Sequence, residues 1–342
     1  MSWQNLITDV AGVRVGHAHD ARLGSGVTAV VFDEPAIASV DIRGGGPATR
    51  ESDLLAPGRS VERVDAFALS GGSAFGIEAG GGVQALLHER GRGFAVGPAR
   101  VPIVPGAALF DLLAGGDKDW GRHSPYRELG YAAAAAVDTR FALGSVGAGL
   151  GATTADLKGG IGSASATTAD GVAVGALAAV NAAGSVVVGG GPCFWAGAFE
   201  QNGEFGGHGF PVTVPAEALS PRTKGSARES TTLVVVATDA MLTKAQAERL
   251  AIMAQTGLAR AIYPVHTPLD GDILFAAATG RKALADPLRA LSGLGTLAAN
   301  TVARAVARAI YEAEALPYPG SLPSWHDKFT HRQEKFGGDG RG

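Results

Sequence analysis

The sequence predicts an α+β fold in which strands are covered by helices, and three observations predict it. Apolar, β-branched runs recur along the chain and read as strands. Segments with apolar residues at helical spacing alternate with those runs. Glycine, 51 of 342 residues, clusters beside the apolar runs, where tight turns and close backbone approaches are expected. Elements of both kinds pack in layers around a core, and 342 residues allow either two domains or one large sandwich.

The strand readings fall at residues 27–32, 66–69, 172–180, 185–188 and 233–237. Helical spacing covers 73–89, 243–256 and 294–314, with the Thr243 hydroxyl as an N-cap and Gly257 as the expected C-cap of the second helix. Asn181 is a lone amide among apolar strand residues; a turn between two strands is one reading of it. Residues 200–230 are rich in Gly, Pro, Ser and charges and read as an exposed loop. The tail from about residue 318 reads as flexible, with docking of Trp325 or Phe329 on a neighbour as the alternative.

Composition removes several function classes. Hydrophobic residues make up 46% and charged residues 18%, with net charge −3, so neither disorder nor a basic nucleic-acid surface is expected. The single cysteine, Cys193, excludes an intrachain disulfide and any multi-cysteine metal site. No basic segment followed by an apolar stretch opens the chain, and "LGYAAAAAVD" is too short to span a membrane, so a cytoplasmic protein without membrane partners is expected.

The stretch "SARESTTLVVVATDA" places three hydroxyls, Ser230, Thr231 and Thr232, where a polar loop becomes an apolar strand. Cleavage before such a residue creates a hydroxyl and an α-amine on one framework. An α-amine has a pKa near ~8 and acts as a base close to neutral pH, so the nucleophile needs no histidine. Taken alone, the same stretch is also an ordinary entry to a strand.

Seven ordered motifs carry a resemblance over about residues 5–315: "ITDVAGVRVGHAHD", "DIRGGGPATRESDLL", "ALSGGSAFGIEAGGGV", "VPIVPGAALFDL", "GSVGAGLGATTADLKGGIGSAS", "STTLVVVATDA" and "LARAIYPVHTPLDGDILFAAATG". The chain resembles the L-aminopeptidase/D-esterase family, which includes β-peptidyl aminopeptidases and endo-type nylon-oligomer hydrolases. The resemblance implies an αββα sandwich related to N-terminal-nucleophile hydrolases, cut by itself into two chains of one domain. The family nucleophile lies six residues before the "ATDA"-like segment, which is Thr231 here. The cut would then fall between Ser230 and Thr231, giving an α chain 1–230 and a β chain 231–342, with Ser230 and Thr232 as rival hydroxyls.

The resemblance makes Lys158 the active-site lysine, Asn181 an oxyanion-hole donor, and Asp270 and Asp272 acceptors for the amine and hydroxyl of Thr231. Read without the resemblance, these are a solvated loop lysine, a turn asparagine and a turn with two solvated acids. Phe75 stands where some relatives have a tyrosine and is expected, with Ser73 and Gly72, to line the substrate pocket; as a helix residue it would instead be core. Arg43, Arg50, His17 and His19 read as structural, and with only His266 near the acid pair neither a metal nor another cofactor is expected. The implied enzyme is a homotetramer of αβ pairs hydrolysing small peptides, amino-acid amides or esters, β-peptides or 6-aminohexanoate oligomers. The alternatives are an unprocessed binding protein and an acyl transferase like the ornithine acetyltransferases.

Overall fold

Residue parity sets the layers of the computed structural model, which describes residues 3–224 and 230–330. Its strands are β1 (Val13–Asp20), β2 (Ser25–Ile42), β3 (Ala48–Arg50), β4 (Arg63–Ser70), β5 (Phe94–Val96), β6 (Ala99–Val101), β7 (Gly106–Ala108), β8 (Gly160–Thr167), β9 (Ala173–Asn181), β10 (Thr231–Ala240) and β11 (Ile273–Lys282). Its α-helices are α1 (Ala79–Glu89), α2 (Tyr126–Ala135), α3 (Lys244–Ala261), α4 (Pro287–Tyr311) and the short α5 (Trp325–Phe329).

Side chains alternate across a strand, and here each parity has its own core. Val234 and Val236 of β10 and Leu274 and Ala276 of β11 pack with α3 and α4. Leu233, Val235, Ile273 and Phe275 point the other way and meet Val30, Phe32, Phe67 and Leu69 of β2 and β4. The remaining faces of β2 and β4, with Val27, Ala29, Ala66 and Ala68, are covered by α1 and α2. Four layers, α–β–β–α, follow, with the middle seam fixed by stacking of Phe67 on Phe275 at 4.7 Å between ring centres. Each fully buried Phe of this seam contributes about 1.5–3 kcal/mol.

The long β2 joins the two halves. Its first part pairs antiparallel with β1 and β4, and residues 37–42 pair antiparallel with β11. Strand β10 sits between β11, parallel, and β9, antiparallel. The N-terminal end of β10 therefore lies where the end of β9 and the segment before β11 converge.

Four of the expected strands are present, several of them longer than expected, but residues 185–188 form only isolated bridges, Ser185 with Tyr263 and Val187 with Phe194. The helical pattern at 73–89 starts as a 3-10 turn over Ser73–Glu78 before α1. Thr243 caps α3 by accepting from the Gln246 amide, but the helix runs through Gly257 to Ala261. Gly257 marks a helix crossing instead: a Cβ there would lie 2.3 Å from the Ala299 carbonyl of α4. The region 200–224 is tied down by buried Phe205 and by the Glu204–Arg304 ion pair. Residues 318–330 also pack on the body rather than trailing from it, since Trp325 is 3% exposed and its indole N–H donates to the Pro192 carbonyl at 3.1 Å.

Candidate active site

Ser230, Thr231 and Thr232 are all buried, and their hydroxyls differ in what they reach. The Thr231 hydroxyl donates to the Ser230 carbonyl oxygen at 2.6 Å. That oxygen also accepts the Gly271 N–H at 2.7 Å. The hydroxyls of Ser230 and Thr232 have no hydrogen-bond partner among the described residues. Thr231 shares its parity with Leu233 and Val235, so it belongs to the face between the sheets, whereas Thr232 shares that of Val234 on the helix side.

The parallel neighbour of this strand end is the Asp270–Gly271–Asp272 turn. Asp270 accepts from the Thr267 amide at 2.8 Å and the Ala183 amide at 3.2 Å. Burial, and then the charge of Asp272, push its carboxyl above the usual range. Asp272 accepts from the Thr232 amide at 2.7 Å and from the His266 ring at 2.8 Å. Neither carboxylate takes the Thr231 hydroxyl, contrary to the expectation from the resemblance: in the continuous chain that hydroxyl turns to Ser230, and the Thr231 nitrogen is still a peptide nitrogen. The "GGG" of residues 44–46 closes over the turn, and a Cβ on Gly44 would lie 2.2 Å from the Asp272 nitrogen.

Asn181, at the end of β9, is the register partner of Thr231. It ends a strand paired with β10, and no second strand of a hairpin follows it. Its amide oxygen accepts from the Thr153 amide at 3.0 Å and the Lys224 ammonium at 2.7 Å, while the nitrogen gives one of its two N–H groups to the Phe110 carbonyl at 2.8 Å. These partners fix which side of the amide is the donor.

Lys158 is fully buried, not solvated. Its Nζ donates to the carbonyls of Gly149, Ala152 and Gly159 at 3.0, 2.9 and 2.7 Å. Burial pulls the lysine down to about 7, with the nearby Asp111 charge acting against the shift. With all three donors on the main chain, it makes no hydrogen bond to Thr231. Asp111 is itself buried and held by the Ser25 hydroxyl at 2.6 Å and the Gly72 amide at 2.8 Å; burial pushes its carboxyl up.

Lys158, Asp111, Thr153, Phe110 and Lys224 line a cavity of about 160 Å³ together with Leu316 and residues 319–322. Thr231 is not among the lining residues; Asn181 connects it to the cavity through Thr153 and Lys224. A larger cavity, about 690 Å³, lies by the far end of β11 around Lys282, Asp286 and Arg289, away from this group.

The structure brings Thr231, Ser230, Asn181, Asp270 and Asp272 together and places Lys158 in the cavity lining with residues of the tail. Gly72 reaches the cavity only through Asp111, and the Ser73 amide donates to the Leu109 carbonyl at 2.8 Å. Phe75 lies outside the lining, 52% exposed, edge-on to Trp120 at 5.3 Å. His17 is held by Thr28 and the Ala142 carbonyl, and burial lowers it to about 4, in keeping with a structural part. Arg43 pairs with Asp41, and Arg50 bonds Gln84. Among the described residues no group of three His, Cys, Asp or Glu side chains is placed to hold a metal. Sequence reasoning missed Asp111, Gly271, Lys224 and the tail wall. Asp111 and Gly271 stood inside the motifs, but nothing in the spacing gave Lys224 or the tail a link to Asn181 or Lys158.

The profile of Peptidase family S58 matches residues 5–320. An uncharacterized aminopeptidase of Mycobacterium tuberculosis is 44% identical over 346 residues, covering 95% of this chain and 98% of its own. A 6-aminohexanoate-oligomer endohydrolase of Kocuria is 29% identical over 308 residues, covering 88% of this chain and 81% of its own. Among solved structures, a Burkholderia β-aminopeptidase superposes with TM-score 0.69 at 24% identity over 98% of this chain and 95% of its own. The L-aminopeptidase D-Ala-esterase/amidase of Ochrobactrum anthropi, described as a variant of the Ntn hydrolase fold, gives TM-score 0.69 at 21% identity over 97% of this chain and 94% of its own. The four layers are thus those of Ntn-type hydrolases, and the chain, a hydrolase of amide bonds, belongs to Peptidase family S58.

Proposed function

We propose that the chain cuts itself between Ser230 and Thr231 and then works as an N-terminal-threonine amidohydrolase. One observation carries this reading: the carbonyl of the bond to be cut accepts both the Gly271 N–H and the hydroxyl of the residue that follows it. The Gly271 donor stabilises charge developing on that oxygen, as an oxyanion donor does. Thr231 Oγ adds to the Ser230 carbonyl carbon and loses its proton. The C–N bond then breaks, the nitrogen gains a proton, and an ester links Ser230 to the Thr231 oxygen. Water cleaves the ester, leaving a carboxylate on Ser230 and a free hydroxyl and α-amine on Thr231.

In the cut enzyme the α-amine, with a pKa near ~8, takes the hydroxyl proton as Thr231 attacks a substrate carbonyl. Asn181 Nδ2, beside Thr231 across the β9–β10 pair, is the oxyanion donor. Asp270 and Asp272 hold the strand end and the new amine, and Lys158 supplies a titrating group near neutral pH. Substrates are small peptides, amino-acid amides or esters, β-peptides or aminohexanoate oligomers, a range supported by the aminopeptidase, esterase/amidase and oligomer-hydrolase names of the relatives and neighbours. The same reading takes the enzyme as a cytoplasmic homo-oligomer of αβ pairs.

N-terminal sequencing of the smaller fragment tests it. A first residue of Thr231, with hydrolysis of aminoacyl anilides by the cut protein, is the expected outcome. A single full-length band persisting through long incubation would sink the proposal.

A further inference from the structure

The cavity beside Lys158 has a wall that the functional reading does not use. Leu316 and residues 319–322 form it, in the same lining as Phe110 and Thr153. Ser321 and Leu322 lie beyond residue 320, the end of the span shared with the family. The segment is fastened at both ends. At its near end the Tyr318 hydroxyl donates to the Ala21 carbonyl. At its far end the Lys158 amide donates to the Pro323 carbonyl at 2.9 Å. Ser324 then caps α5, and the buried Trp325 ring lies 5.1 Å from Tyr311 and stacks on Phe194 at 5.9 Å. Lys158 is thus tied to the wall by its main chain and to the loop carbonyls by its side chain.

We propose that this segment is a specificity-determining wall that limits the acyl part of the substrate to about one compact aminoacyl group. The proposal rests on the amide-hydrolase reading and narrows it. The cavity, about 160 Å³, is small beside the ~300–1,000 Å³ typical of sites for drug-sized ligands. Its lining mixes the charges of Lys158, Lys224 and Asp111 with the apolar Leu316 and Leu322, which suits a short chain with a polar end. An extended oligomer needs the wall displaced. Leu322 acts by filling space, and Trp325 acts through it, as the anchor that keeps the segment seated.

The test is steady-state kinetics of the self-cut protein on para-nitroanilides of β-alanine, γ-aminobutyrate and 6-aminohexanoate. In the parent, kcat/KM falls as the acyl chain lengthens. Leu322→Ala and Trp325→Ala raise the ratio of the 6-aminohexanoyl to the β-alanyl substrate by about tenfold, the scale on which pocket size discriminates. An unchanged ratio in both variants overturns the wall, as does a parent that already prefers the longest chain; in either case the hydrolase reading stands. A parent that hydrolyses none of the three removes the hydrolase reading and the wall with it. Should Trp325→Ala fail to fold, Leu322→Ala decides, because it leaves the anchor in place.

Discussion

The hydroxyl of Thr231 and the carbonyl oxygen of Ser230, the residue bonded to it, lie 2.6 Å apart. The neighbouring hydroxyls of Ser230 and Thr232 have no hydrogen-bond partner among the described residues. Thr231→Ala therefore leaves a folded, full-length chain without amidase activity, and Thr231→Ser, which keeps the hydroxyl, still cuts. A denaturing gel read beside circular dichroism checks both. Cutting by Thr231→Ala would move the nucleophile to Ser230 or Thr232.

Gly271 is the second contact on that carbonyl, and its own position leaves no room for a side chain. A Cβ there would stand 2.6 Å from the Thr231 hydroxyl oxygen and 2.7 Å from the Gly46 carbonyl. Gly271→Ala overpacks the site, at a cost of about 1–3 kcal/mol in stability. It also slows self-cleavage by roughly tenfold or more, because a shift of the donor weakens oxyanion stabilisation by more than about 1.4 kcal/mol. Chemical denaturation and a time course of cutting measure the two effects separately. A variant that cuts at the parent rate would show that the Gly271 donor has no part in the step.

Lys158, pulled down to about 7 by burial, passes from ammonium to amine near neutral pH. The precursor has no α-amine at Thr231, so a neutral limb in the rate of self-cleavage cannot come from that group. The rate of cutting should rise through about pH 7 and then level, and Lys158→Arg, which stays charged, should lose the rise. Asp270, raised by burial and by Asp272, is separated from this effect by Asp270→Asn. A flat profile between about pH 5 and pH 9 would sink the assignment to Lys158. Stability has the same sign: with a folded pKa below the unfolded value of ~10.4, the folded chain binds fewer protons between the two. The lysine's penalty is full below about pH 7 and fades as pH rises toward the unfolded value.

Strong local patterns were legible and long-range contacts were not. The run at 233–237 is apolar at every position because both its faces are buried, one on each core. Strand β8, "GIGSASAT", carries no such pattern; its glycines lie under α4, where a Cβ on Gly162 would meet the Ala305 carbonyl at 1.9 Å. The motifs placed Lys158, Asn181 and the acid pair in one site, yet the carbonyl cage around Lys158 forms from a local fold of residues 149–159 that spacing does not encode. The polar tail read as flexible because Trp325 and Tyr318 are isolated in sequence, and their partners, Phe194 and Ala21, are more than a hundred residues away.

Two glycines on the outer helix layer turn that difference into a measurement. Gly257 read as a helix end, but it sits within α3 at the crossing with α4, where a Cβ would also approach Val302 at 2.8 Å. Gly257→Ala must push the helices apart and should cost about 1–3 kcal/mol. Gly293, within α4, is exposed, and a Cβ there would meet nothing within 4 Å. Gly293→Ala should instead add about 0.5–1 kcal/mol, since alanine loses less conformational freedom in a helix. Opposite shifts in the urea midpoint at unchanged slope are expected. Equal effects of the two substitutions would mean that the α3–α4 crossing does not depend on the close approach at Gly257.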